Sequence, residues 1–462
     1  MEPFSLSAFL SRRAQRRGKN PTRIIVGSFL AVILGGTLLL MLPVSSRTGT
    51  FTPFLNAMFT ATSATCVTGL VVYDTYTQFS TFGQVVILLL IQIGGLGLLT
   101  LTTFFNVAIG RRLGFKSLRV ATESINLSDP AQARGLLQFV MKFAFSFEAA
   151  GAVLLSFVFI PRFGADGIFI SVFTAISSFC NAGFDIFGRL LPGSSLRLFA
   201  DNPFVLLVVS LLIISGGLGF LVWNDLAHYR QTKHLRTHTK LVLWVTGALL
   251  VLGTVCVALL EWNNPATLGA MPPLQRITNA AFTSVTARTA GFDTFDMNGL
   301  ANNTKVLMVL LMFIGAAPGG TGGGVKVTTA SIILVAVACV ARGRDEATLF
   351  SRRIDHKTVY KSLTIFTLAL FSVVLSSLTI YYNTSADMTE LNCLFEAVSA
   401  FGTVGLTVGV TAHMHSFALL VTMVTMLIGR VGPVAMALTL AARPGDNSAK
   451  RSVSPQAQII VG

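Results

Sequence analysis

TSATCVTGL, residues Thr62 to Leu70, decides how the rest of this chain is read, because the phrase returns three more times. It recurs as SSFCNAGF (Ser177 to Phe184), VTARTAGF (Val285 to Phe292) and SAFGTVGL (Ser399 to Leu406). The central glycines are Gly69, Gly183, Gly291 and Gly405, at intervals of 114, 108 and 114 residues. Each glycine follows a run of small residues and precedes Leu or Phe. Weak internal similarity of this kind marks a membrane fold built from structural repeats. Four units in one apolar chain imply a pseudo-fourfold pore with one phrase per quadrant.

Composition places the chain in a lipid bilayer. It is 53% hydrophobic and only 11% charged, whereas soluble domains carry roughly 25% charged residues. The net charge of +15 does not point to nucleic acid, because the basic residues fall in short clusters between apolar runs. Five cysteines, Cys66, Cys180, Cys256, Cys339 and Cys393, lie in or beside apolar segments without metal-ligand spacing. They read as small packing residues rather than a disulfide framework. No small-residue cleavage site follows the basic N-terminus, so the first apolar run is expected to remain as a span.

The basic clusters set the topology. Arg12, Arg13, Arg16, Arg17, Lys19 and Arg23 precede the first span, and Arg111, Arg112, Lys116, Arg119 and Arg134 follow the first unit. Arg230, Lys233, Arg236 and Lys240 follow the second unit, and Arg342, Arg344, Arg352, Arg353, Lys357 and Lys361 the third. Arg443, Lys450 and Arg451 close the chain. If each unit crossed an odd number of times, these clusters would alternate between sides. Every boundary is basic, so each unit returns to the cytoplasm and the repeats are parallel. The expected unit is span, re-entrant half-helix, span, with spans near 22–42 and 81–110, 136–160 and 202–224, 239–262 and 304–341, and 360–383 and 412–442.

The fold class is therefore an all-α integral membrane protein of eight transmembrane helices, with both termini cytoplasmic. A basic N-terminus (1–21) precedes repeats at 22–112, 113–224, 225–345 and 346–442, and a tail occupies 443–462. Candidate half-helix starts are Thr52-Pro53, Pro272-Pro273 and Asp387, since Pro and Asp suit a first helical turn. Gly114 to Arg134 is polar enough for the cytoplasmic surface.

The phrase suits a cation. A half-helix entering from outside ends with its carbonyls inside the bilayer, carrying roughly half a negative charge. The extended stretch after it can aim backbone carbonyls at a central axis in place of an ion's water shell. Glycine permits the required backbone angles and brings no side chain to the axis. The residues before the glycines, Val67-Thr68, Asn181-Ala182, Thr289-Ala290 and Thr403-Val404, differ in side chain, which backbone coordination permits. No acidic ring accompanies them, against a divalent site. Glycines that merely pack helices are the bland alternative, and a carrier for another small cation such as ammonium, or a non-transporting scaffold, are the competing functions. Asp74, Asp185, Asp293 and Glu396 could lend negative potential to the outer mouth or be ordinary structural carboxylates.

A second glycine cluster follows each phrase: Gly94-Gly95-Leu96-Gly97, Gly216-Gly217-Leu218-Gly219, Gly319-Gly320-Thr321-Gly322 and Gly429-Arg430-Val431-Gly432. Arg430 stands where the other three units have glycine, and a charge inside a span is a functional-site hypothesis. It either faces the pore or staples helix-end carbonyls. In the third unit, 315–326 interrupts a span with Gly315, Pro318, Gly319, Gly320, Thr321, Gly322, Gly323, Gly324 and Lys326. A continuous helix is not expected there, and Val325 stands where a phosphate-binding loop requires lysine. A gate is the expected role. Arg288, three residues before Gly291, is expected to pair structurally.

TCVTGL, FCNAGF, RTAGF and GTVGL resemble the filter loops of the Trk/Ktr/HKT potassium-transporter superfamily, and the resemblance covers nearly the whole chain, most closely the Ktr membrane subunit. It implies ion coordination by backbone at Val67, Thr68 and Gly69, at Asn181, Ala182 and Gly183, at Thr289, Ala290 and Gly291, and at Thr403, Val404 and Gly405. Gly69 rather than serine implies potassium over sodium, with sodium left open as a coupled or activating ion. The resemblance also implies a gate at the intramembrane loop, an arginine matching Arg430, a homodimer and a cytosolic nucleotide-binding ring of the RCK type. The location it implies is the bacterial inner membrane, with no enzyme activity, no nucleotide site on this chain, and an apolar tail, Ile459 to Gly462, at the dimer interface.

Overall fold

The computed structural model describes residues 21–97, 130–344, 346–385 and 388–441. Arg12 to Lys19, the end of the expected span 81–110, Arg111 and Arg112, most of Gly114 to Arg134, Asp387, the C-terminal basic cluster and the apolar tail lie outside the described residues. Helices longer than one turn are numbered α1 to α15. The first group is α1 Pro21–Met41, α2 Phe54–Cys66, α3 Thr81–Leu96, α4 Pro130–Phe163, α5 Asp166–Phe179, α6 Pro203–Gly217, α7 Phe220–Thr232 and α8 Thr237–Glu261. The second is α9 Pro273–Thr286, α10 Asn302–Phe313, α11 Val327–Ala341, α12 His356–Tyr382, α13 Glu390–Gly402, α14 Ser416–Val431 and α15 Pro433–Ala441. A two-residue-per-strand hairpin, Thr348–Leu349 with Arg352–Arg353, joins α11 to α12.

In chain order each long helix (α1, α4, α8, α12) is followed by a short helix (α2, α5, α9, α13) and then by another of 12 to 16 residues (α3, α6, α10, α14). Among the described residues, four helices are long and apolar enough to cross a membrane, namely Arg23–Met41, Gly135–Phe163, Thr237–Glu261 and His356–Tyr382. Their outward faces carry exposed Leu34, Leu38, Phe157, Val251, Leu259, Phe371 and Leu375, and an apolar surface this extensive marks contact with something other than water. The interior is an apolar core that also encloses polar side chains. Thr60, Thr62, Ser63, Thr65, Ser177, Ser178, Thr283, Ser284, Thr286 and Ser399 are all buried on the short helices.

The short helices begin where first-turn chemistry favours it. Pro53 precedes α2, Pro273 occupies the first turn of α9, and Asp166 opens α5. Thr389 caps α13, its hydroxyl accepting from Asn392 N at 3.3 Å.

One expectation is corrected here. The second helices of the first, second and fourth units are expected as single spans, but α3, α6 and α14 are 15 or 16 residues long, short of the ~20 needed to cross, while α10, whose interruption is expected, has 12. The break falls at a left-handed glycine: Gly97 (φ 82°), Gly219 (φ 88°) and Gly432 (φ 101°). At Gly219 the chain bends by 95° between α6 and α7. The third unit is not alone in breaking. It differs in the length of its break, which runs from Ile314 to Lys326.

Candidate functional site

Each short helix ends in the same sequence of backbone states. Val67, Asn181, Thr289 and Thr403 take left-handed φ of 57°, 58°, 74° and 51°. Two residues later Gly69, Gly183, Gly291 and Gly405 take φ of 92°, 68°, 81° and 92°. The intervening amides turn back onto the helix: Thr68 N, Ala182 N and Val404 N donate at 2.8 Å to the carbonyls of Ser63, Ser177 and Ser399, and Ala290 N at 3.0 Å to Thr286 O. Ser63 Oγ and Ser399 Oγ accept from Gly69 N and Gly405 N, each at 3.1 Å. Ser177 Oγ and Thr286 Oγ1 instead donate at 2.7 Å to the carbonyls of Phe184 and Phe292. Most donors of the stretch are thus turned back onto the short helix. Its carbonyls accept no hydrogen bond from any described residue.

The four stretches close on one another. A Cβ on Gly69 would lie 2.5 Å from Ala182 O, on Gly183 2.6 Å from Ala290 O, on Gly291 2.3 Å from Val404 O, and on Gly405 2.2 Å from Thr68 O. Each glycine therefore abuts the carbonyl preceding the next, in chain order, and the last returns to the first. The four glycines and the residues before them, Thr68, Ala182, Ala290 and Val404, thus meet in one ring, and Val67, Asn181, Thr289 and Thr403 adjoin it in the chain.

The segment 315–326 runs beneath. Its neck is closed by Gly315 N to Val325 O (2.9 Å) and Val325 N to Phe313 O (3.3 Å). One side is sewn to the second unit: Ala317 N to Gly217 O (3.0 Å), Thr321 N to Gly216 O (3.1 Å), Phe220 N to Gly319 O (3.1 Å) and Thr321 Oγ1 to Phe179 O (3.1 Å). The other side meets the fourth unit through Gly324 N to Gly429 O at 3.2 Å. Three cations hold it. Arg430 donates to Thr321 O and to the carbonyls of Gly94 and Gly95 at the end of α3. Lys326 Nζ donates to Gly322 O at 2.6 Å, and Arg288 Nη2 to Gly315 O at 3.0 Å. A cavity of about 410 Å³ lies against this segment, lined by Gly94, Gly319, Gly322, Lys326, Lys361 and Arg430.

A family model for TrkH, described as a cation transport protein, matches residues 2–451. The chain belongs to the TrkH cation transport family. It is 38% identical to the potassium/sodium uptake protein NtpJ of Enterococcus hirae over 98% of this chain and 100% of that one. It is also 38% identical to the Ktr system potassium uptake protein B of Bacillus subtilis, over 92% of this chain and 94% of that one. The crystal structure of the potassium transporter TrkH from Vibrio parahaemolyticus shares the fold, with a TM-score of 0.67 over 92% of this chain and 86% of that one at 19% identity. These relatives are transporters, not enzymes.

Other residues of this TrkH-family chain fall differently from expectation. Gly319 to Gly322 are not the third unit's counterpart of Gly94, Gly216 and Gly429. Those three press on the short helices, where a Cβ would meet Thr65 O, Phe179 O and Phe401 O at 2.0, 1.9 and 1.8 Å. Gly315, one residue beyond the Ile314 cap of α10, instead packs within its own segment, where a Cβ would stand 2.1 Å from Gly323 O. Arg288 pairs structurally, as expected. Arg430 is bound to helix-end carbonyls, and through Thr321 O also to the segment beneath the ring. Glu396 is a strut: its carboxylate accepts from Thr407 Oγ1 (2.7 Å), Val408 N (3.4 Å), Thr411 N (3.1 Å) and Thr411 Oγ1. Asp74 accepts from Thr77 N (2.8 Å) and Gly193 N (3.0 Å), and Asp293 pairs with Arg197 Nη2 at 2.6 Å. Sequence reasoning missed Ser195 and Arg197, which stitch the loop after the second phrase to Asp293, because loop partners 98 and 96 residues apart leave no local signal.

Proposed function

We propose that the chain is the pore-forming subunit of a potassium uptake system in a plasma membrane, conducting K+ through a filter of backbone carbonyls. The observation that carries this reading is the closed ring of Gly69, Gly183, Gly291 and Gly405 on four left-handed turns. A dehydrated monovalent cation needs several oxygens at once, and carbonyls already turned away from every protein donor supply them without reorganisation. The three layers would be Val67 to Gly69, Asn181 to Gly183, Thr289 to Gly291 and Thr403 to Gly405 taken together. Potassium and potassium/sodium uptake are the functions in the names of the bacterial relatives, which supports K+ as the cargo and leaves Na+ as a coupled or activating ion.

Each repeat is then a crossing, a re-entrant half-helix and a broken second crossing, eight crossings in all, with both termini cytoplasmic. Gly315 to Lys326, held by Arg430, is the gate. Helices α3, α6, α10 and α14 stop at its level, so the inner half of each second crossing lies beyond a glycine hinge. The chain would work as a homodimer under a cytosolic nucleotide-binding ring, docked on the exposed basic residues Arg230, Arg342, Arg344, Arg352 and Arg353.

Rescue of bacteria lacking their own potassium uptake, at low external potassium, tests the reading. The wild-type chain with its regulatory partner is expected to restore growth. In Gly69→Ser a side chain must enter a φ of 92° with its Cβ 2.5 Å from Ala182 O, and strain of about 1–3 kcal/mol predicts uptake lower by roughly tenfold or more and weaker preference for potassium over sodium. An unchanged ion preference in a well-expressed Gly69→Ser protein would sink the filter and favour a carrier for another cation.

A further inference from the structure

The filter reading leaves one layer without a role. On the gate side of the four glycines sit the side chains of the left-handed residues, and these are chemically unequal: Val67, Asn181, Thr289 and Thr403, all fully buried. The valine has no polar atom. The other three form a chain of contacts with the segment beneath. Thr289 Oγ1 lies 3.0 Å from the side-chain amide of Asn181, linking the second and third units. Thr403 Oγ1 accepts a hydrogen bond from Gly323 N at 2.9 Å. The apex of the segment is fitted to these hydroxyls. A Cβ on Gly322 would stand 2.0 Å from Thr289 Oγ1, and one on Gly323 2.5 Å from Thr403 Oγ1.

We propose that Thr403 and Thr289 are positioning residues that latch the Gly322–Gly323 apex of the gate directly to the filter. This inference rests on the pore reading above and deepens it. Arg430 and Lys326 hold the segment from its carbonyls, whereas Thr403 holds it from an amide, and through the very residue whose left-handed turn sets the first filter carbonyl. The apex cannot leave without removing a donor from Thr403 and a steric neighbour from Thr289. Gate position and lower-filter conformation are therefore one coupled equilibrium, and by linkage an ion that favours one state of the filter favours one state of the gate. The asymmetry of the layer follows from this. Thr289 and Thr403 lie under the apex and carry hydroxyls, Asn181 braces Thr289, and Val67 has no partner to make.

Potassium and rubidium flux into vesicles containing only the purified full-length chain tests the latch. Thr403→Val keeps the shape and removes the acceptor, leaving Gly323 N unpaired. Loss of one buried hydrogen bond predicts a gate that opens about two- to tenfold more often, read as partner-free flux raised by that factor. Thr403→Ser, which keeps the hydroxyl, is expected to return flux toward the wild-type level. Gly323→Ala attacks the same contact from the gate side and is expected to raise flux likewise. A chain shortened between Gly315 and Gly324 supplies the control. In that background the rise from Thr403→Val is expected to be smaller than in the full-length chain, because no apex remains to latch. If the shortened chain conducts faster but neither Thr403→Val nor Gly323→Ala does, the latch is overturned and the gate stands. If the shortened chain conducts no faster, the gate reading itself falls and the latch with it.

Discussion

Val67, Thr289 and Thr403 are β-branched residues held at left-handed φ, a conformation that costs of order 1–3 kcal/mol each and persists only where the surroundings impose it. The imposition is visible in the flanking amides, which are drawn back to Ser63, Thr286 and Ser399. Such strain belongs at sites where carbonyl direction matters more than local comfort. The glycines two residues later were legible in the sequence because only glycine relieves both the angle and the ring's close approach. The strained residues were legible only by their distance from those glycines, since valine and threonine do not announce a positive φ. Residue chemistry also reaches the outer mouth. Burial, helped by the negative charges of Asp74 and Asp293, raises the Asp185 carboxyl from its usual 3.8 to about 7. A raised carboxyl contributes stability that is complete below the unfolded value near 3.8 and is lost as pH climbs through about 7. Asp185→Asn abolishes that loss. Thermal unfolding of the detergent-purified protein is therefore expected to favour Asp185→Asn over wild type by a margin that widens from pH 5 to pH 8. A margin independent of pH would exclude Asp185 as the titrating group.

Elements explain why the glycine clusters misled. Two different demands produce the same letters. Gly94, Gly216 and Gly429 exist because a second helix lies against the carbonyl end of a short helix, with no room for a Cβ. Gly320, Gly322, Gly323 and Gly324 exist because an irregular segment threads between two other units, and its partners, Gly216 and Gly429, stand about a hundred residues away on either side. Pattern matching within one unit cannot separate these cases. Arg430 was legible as either pore-facing or a staple of helix-end carbonyls, but its hold on Thr321 O was not legible, since its acceptors come from two other units. Hydrogen bonds from a charged donor are worth about 1.5–3 kcal/mol each, and every 1.4 kcal/mol is about tenfold in an equilibrium. Arg430→Ala is thus expected to raise partner-free potassium flux in vesicles by about tenfold or more. Arg430→Lys keeps the charge but not the planar fork that reaches Thr321 O and α3 together, and is expected to fall between. Flux at or below wild type in a folded Arg430→Ala protein would mean that the guanidinium holds the helices and not the gate.

At the scale of the whole molecule, parallel repeats and a closed ring require each other. A ring in which every glycine meets the carbonyl of the next unit, always in the same sense, needs four units of the same orientation. Inverted neighbours would present alternating faces. Charge placement carries the same expectation without coordinates, because a biased Lys and Arg distribution reports which loops stay inside. Such an expectation can be read at all because topology is written in composition, which survives weak similarity among units. The exposed residues Gln231 and Ser351 lie at successive unit boundaries, and exposed Thr50 lies between α1 and α2. Four native cysteines, Cys66, Cys180, Cys339 and Cys393, are buried, and Cys256 is replaced by serine to remove the remaining background. A membrane-impermeant maleimide added to intact cells is expected to label Thr50→Cys, and to label Gln231→Cys and Ser351→Cys only after permeabilisation. Labelling of Gln231→Cys and Ser351→Cys from opposite sides would make the third unit cross an odd number of times. The units could then not be parallel, and four like-oriented half-helices could not supply one ring.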